Sequence, residues 1–141
     1  MKAIVVAMLT ASFVASGGLA AAQESIGQAE YMSSCAICHG PEGKGDGYLA
    51  GYLKKAPPSL TGLQEANGGV FPVSSVYELI DGTQLEGAHG TSAMPVWGDR
   101  YTAQAEEEFG RFTLGFEPSR QVYVRVKILA LVEYIATLQA Q

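Results

Sequence analysis

Two thiols separated by two residues, with a histidine directly after the second, constrain this chain more than any other feature: Cys35-Ala36-Ile37-Cys38-His39. On a helical turn, residues three apart point the same way, so both sulfurs are offered to one side. This is the spacing at which two vinyl groups on one porphyrin edge are captured as thioethers, with the next imidazole reaching iron under the ring centre. Other uses of a cysteine pair fit less well. A zinc site needs about four ligands, and here the only spare histidine is His89, with no further cysteine to complete the set. A thioredoxin-like pair belongs between a strand and a helix, and no strong strand precedes Cys35.

On Cys35, Cys38 and His39 the sequence resembles the class I c-type cytochromes, small single-haem electron carriers. The resemblance implies an all-α, loop-rich cytochrome c fold in which N- and C-terminal helices cross around one covalently bound haem c. It is strong at 35–39, moderate at 94–98, and extends over about residues 25–139. Gly27 and Tyr31, eight and four residues before Cys35, match the family's glycine and aromatic at the helix crossing. Leu131 and Tyr134 resemble its C-terminal packing pair. The opening Cys-His-Gly-x-x-Gly-x-Gly also looks like many bacterial members. In the family, a Pro-x-Leu segment offers the proline carbonyl to the free nitrogen of the haem histidine. Carried over, Pro58 orients His39 and Leu60 packs on the ring.

Residues 1–22 read as a signal peptide. Lys2 supplies a positive start, Ala3 to Val14 an apolar run, and Ala20-Ala21-Ala22 a cleavage site before Gln23. The run of about a dozen residues is short for a bilayer span, with an uncleaved anchor as the alternative. Export to the periplasm suits the cofactor. Residues 23–141 are then a single domain, without any further segment apolar and long enough to cross a membrane. Without Lys2 the mature chain keeps eight basic against fourteen acidic side chains, a formal charge of −6. That balance argues against nucleic acid and for redox partners with a basic docking face.

Local patterning predicts three helices. Ile26 to Ser34 leads into the cysteine motif. Ser74 to Ile80 carries Val76, Leu79 and Ile80, with Ser74 or Ser75 as the cap and Asp81-Gly82 as the stop. Val122 to Leu138 places Val124, Ile128, Leu131, Ile135 and Leu138 on one face, with Ser119 capping its start. The glycine-rich stretch from Gly40 to Gly51 reads as a turn hugging the haem edge, since its spacing and context do not suit a nucleotide loop. Residues 98–118 are longer than a minimal cytochrome needs. There Glu106-Glu107-Glu108 reads as a solvated face or a partner-docking run, and Phe109, Phe112 and Phe116 as anchors.

The sixth iron ligand has few candidates. Beyond the leader only Met32 and Met94 remain, and Met32 shares the helix of Cys35. Met94 lies about 55 residues past His39 in a loop stiffened by Pro95. Met-Pro followed by an aromatic resembles the distal loop of many class I cytochromes. His89 is the competing ligand, and Trp97 is expected near the haem, its indole N–H a donor to a propionate. A thioether favours ferrous iron and closes the coordination sphere, which implies a one-electron carrier rather than an enzyme. Two alternatives stay open. One is a peroxidase-like or gas-binding protein with a labile sixth site, using a distal group such as His89. The other is a dedicated electron-transfer subunit of a dehydrogenase, docked through residues 98–118.

Overall fold

Serine at position 25 caps the first helix, its hydroxyl accepting from the Gln28 N–H at 3.1 Å. The computed structural model describes residues 25–83, 94–109 and 117–140. Among these residues there are helices and no strands, as an all-α reading expects: α1 (Ile26–Ser34), α2 (Ala36–His39), a 3-10 turn (Ala50–Tyr52), α3 (Leu63–Ala66), α4 (Val73–Asp81), α5 (Trp97–Phe109) and α6 (Glu117–Thr137). No described helix is long and apolar enough to cross a membrane.

The helix α6 is the spine. Its residues Ile128, Leu131, Val132 and Ile135 are buried together with Tyr31 of α1, Ile80 of α4, and Trp97 and Tyr101 of α5. The helices α1 and α6 cross at Gly27, where an added Cβ would run into the carbonyl of Ala130 and press on Tyr134. One turn on, Tyr31 and Tyr134 stack with centroids 5.1 Å apart and a 50° tilt. The Tyr31 hydroxyl donates to the Gly40 carbonyl at 2.7 Å, tying the crossing to the end of the cysteine motif.

Two expectations need correction, and one helix lies where none is expected. Helix α4 begins at Val73, so neither Ser74 nor Ser75 caps it; Pro72 is the N-cap residue and makes no side-chain cap bond. Its C-terminus does end as expected, with Gly82 left-handed at φ 95°. Helix α6 starts at Glu117, five residues before Val122, so Ser119 lies inside it rather than at its cap. Pro118 sits in the first turn, where proline's missing N–H and fixed φ are tolerated. The segment after residue 97 is itself helical: α5 buries Trp97, Tyr101 and Ala105 at four-residue spacing.

Candidate functional site

The cysteine motif is a helical turn wrapped by backbone. Cys35 N–H still bonds the Tyr31 carbonyl at 2.8 Å, and the His39 N–H reaches the Cys35 carbonyl at 2.9 Å, so the chain runs from α1 into α2 with only a slight break. The carbonyls that α2 leaves free are then taken up by the glycine-rich stretch. Leu49 N–H donates to Ile37, Gly47 to Cys38 and Gly45 to His39, at 2.9, 3.1 and 2.8 Å. Such end groups need partners when they are covered. Gly47 is required by this approach: a Cβ there would lie 2.5 Å from the Ile37 carbonyl oxygen. The glycines therefore serve to bring backbone onto the cysteine turn.

His39 is partly buried, and its Nδ1 donates to the Pro58 carbonyl at 3.3 Å. Burial lowers its pKa and the Pro58 bond pulls the other way, leaving it below the ordinary value. The neutral imidazole is the form that binds metals, and a bonded Nδ1–H leaves the Nε2 lone pair for a ligand. Pro58 is positioned from the same loop: Leu60 N–H donates to the Gly43 carbonyl at 2.7 Å, and Leu60 packs against the core. Cys35 and Cys38 are both partly exposed. Burial, followed by the nearby Glu30 and Cys38, pushes the Cys35 thiol up to about 12. A redox-active pair depends on an attacking thiol with a depressed pKa, and Cys35 is shifted the opposite way.

Met94 is partly buried against the same core cluster that Cys35 and Leu60 border. The residues after it are clamped. Val96 sits against Gly82, where an added Cβ would come within 2.5 Å of Cγ1, and Gly98 backs onto the Asp81 carbonyl just as closely. Trp97 is buried, with the Arg100 guanidinium 4.9 Å over its ring and Tyr101 6.1 Å away. The segment carrying Met94 is thus fixed to the end of α4 and the start of α5. His89 lies outside the described residues, as do Phe112 and Phe116. Phe109 packs edge-on against Tyr123 at 5.5 Å, and Glu106, Glu107 and Glu108 are exposed, Glu106 bonding Arg120 of α6 at 3.2 Å.

One feature near the motif has no local signal in the sequence. Glu30, on the turn before Cys35, accepts from Ser34 at 2.9 Å and Tyr101 at 3.0 Å and pairs with Lys127 at 2.8 Å. It joins α1, α5 and α6. Burial pushes the Glu30 carboxyl up, but the bonds from Lys127, Ser34 and Tyr101 together hold it below the ordinary carboxylate range. Lys127 is raised, chiefly by its bond to Glu30. The signs give a window. A lowered Glu30 stabilises the fold above its unfolded value near 4.5, and this is lost as pH falls through the lower folded value. A raised Lys127 contributes fully below 10.5 and loses this as pH rises through its folded value. Glu30→Gln is therefore expected to cost about 1–2 kcal/mol at neutral pH and much less in acid. Urea titrations across pH check this, and an equal cost at every pH would remove the ionic role of Glu30.

Chemically, the arrangement offers two sulfurs and a neutral imidazole from one rigid turn, and a thioether from a clamped segment on the same core. The comparisons add no relative: no family model, no curated protein and no solved structure matches the chain.

Proposed function

We propose that this chain is an exported, periplasmic monohaem c-type cytochrome that carries single electrons between redox proteins and is not an enzyme. The observation that carries the reading is the Cys35–His39 turn with His39 Nδ1 bonded to the Pro58 carbonyl. That bond is what a haem histidine needs, because it fixes the ring and leaves Nε2 for the iron. The donor set fits the group in other respects. Cys35 and Cys38 stand one turn apart and partly exposed, suited to two thioether bonds on one porphyrin edge. Tyr48 and Tyr52 stay about three-quarters exposed beside that turn, their rings 5.8 Å apart, which leaves apolar surface for a large flat ligand to cover.

When bound, haem supplies the one-electron iron couple. The residues of the chain do the rest. Cys35 and Cys38 would hold the group covalently, His39 would bind the iron, and Pro58, by accepting from His39 Nδ1, would keep the imidazole in the binding tautomer. Met94, as a second iron ligand, would favour ferrous iron and shut out small molecules. Leu60 would pack on the ring and Trp97 near it.

The test is chemical. The mature protein should keep its haem through denaturation and acid–solvent extraction, with a mass equal to the chain from Gln23 plus one haem. Cys35→Ala or Cys38→Ala should leave one thioether bond or no holoprotein. Haem that washes out of the unmodified protein would defeat the assignment.

The acidic balance supports a partner with a basic docking face. Electron transfer to that partner is expected to slow as salt rises, because long-range attraction is screened over roughly 8–10 Å at 0.10–0.15 M. A rate indifferent to salt would count against electrostatic docking.

A further inference from the structure

The outward face of α6 is apolar where a surface helix is normally charged. Val122, Val126 and Leu129 are 58%, 52% and 43% exposed, while the opposite face buries Ile128, Leu131, Val132 and Ile135. The helix α1 does not cover this stripe, because its contact with α6 runs through Ala130 and Tyr134. Nor does Lys127, which turns toward Glu30.

The charges bordering the stripe are arranged symmetrically. Arg125 and Glu133, both exposed, lie four residues before and four after Leu129. Residues four apart form a ridge on a helix surface, and such ridges from two helices interdigitate at a crossing near −50°. A two-fold axis through Leu129, with the two helices crossed so that their 125–129–133 ridges align, would set Arg125 of each copy against Glu133 of the other. The face is thus complementary to itself under the symmetry that isologous dimers require.

We propose that a second copy of this chain docks antiparallel on this face, with Leu129 at the two-fold axis. Other occupants match the charges less well. An anionic membrane surface attracts clustered lysines and arginines, whereas the stripe is bordered by one charge of each sign in a chain of net charge −5. A surface built for a basic protein partner would carry acidic residues alone, whereas Arg125 is exposed beside this stripe.

Three large side chains make a small interface, at the low end of what stable complexes bury. The dimer is therefore expected to be weak, with a Kd on the order of 100 μM. Sedimentation equilibrium of the mature protein, as isolated and at physiological ionic strength, measures it. Leu129→Glu should weaken association at least tenfold, and Arg125→Glu several-fold. Arg125→Glu combined with Glu133→Arg should restore it to within about twofold, since the swap preserves both pairs. All three positions are exposed, and far-UV circular dichroism checks that each variant keeps its helices. A protein that stays monomeric to millimolar concentration overturns the proposal. So does a dimer indifferent to Leu129→Glu, or a double swap that fails to rescue. A monomer whose stripe binds anionic vesicles or another protein instead also overturns it.

Discussion

Alanine at Gly27 is expected to destabilise the protein by roughly 3 kcal/mol or more, beyond the usual cost of overpacking a core. On helix propensity alone the change should help, since alanine is better than glycine by about 0.8–1 kcal/mol inside a helix. The local environment reverses that sign. The new Cβ would enter the carbonyl group of Ala130, and the atom in its way is backbone of α6 rather than the end of a flexible side chain. Relief requires α1 and α6 to separate, which would loosen the Tyr31–Tyr134 stack and the bond from Tyr31 to Gly40. Gly51→Ala is the control, because open space surrounds that position; it should be neutral or slightly stabilising. Guanidinium unfolding of both variants measures the difference. A Gly27→Ala protein as stable as its parent would mean that the helices do not approach this closely.

Much of this architecture is local information. The α1 helix is legible from Gly27 and Tyr31 ahead of the cysteine motif, and α4 from Val76, Ile80 and its Asp81-Gly82 stop, although Leu79 of the expected stripe is 47% exposed. Caps are less legible: Ser74 and Ser75 offer cap chemistry, but α4 already begins at Val73, and Ser119 falls inside α6. Helix α5 was missed for a different reason. Its buried stripe consists of Trp97, Tyr101 and Ala105, and the residues between are mostly polar, so its periodicity is faint against the acidic run. In the candidate site, the cysteine turn is written in five consecutive residues. Glu30, Tyr101 and Lys127 are not, since 71 and 97 residues separate the partners. Chain pairing of that kind becomes visible only once the helices are packed. The glycine-rich stretch falls between these cases: its role as a turn could be read, but not its backbone bonds to the cysteine turn.

If the chain carries haem as proposed, Met94→Ala is expected to have the largest effect on redox behaviour. The ferric parent should show the weak red absorption of thioether-to-iron charge transfer, and its ferrous form should resist carbon monoxide. In the variant that band should vanish, small ligands should bind the iron, and the potential should fall, because a soft thioether favours ferrous iron. Haem should stay attached, since Cys35 and Cys38 are untouched. The fold should survive as well: Met94 only borders the core cluster, so its loss costs no more than about 2–3 kcal/mol. The clamps around the segment sharpen the prediction. With Val96 held at Gly82 and Gly98 at Asp81, neighbouring side chains cannot easily slide into the vacated position. Met94→His should give a low-spin protein of lower potential, as a second imidazole favours ferric iron more than a thioether does. His89→Ala should leave the red band intact and move the potential only modestly. If His89→Ala opens the iron and Met94→Ala does nothing, the two residues exchange roles. If the unmodified ferrous protein binds carbon monoxide rapidly, the sixth position is open, and a peroxidase-like or gas-binding protein replaces the electron carrier.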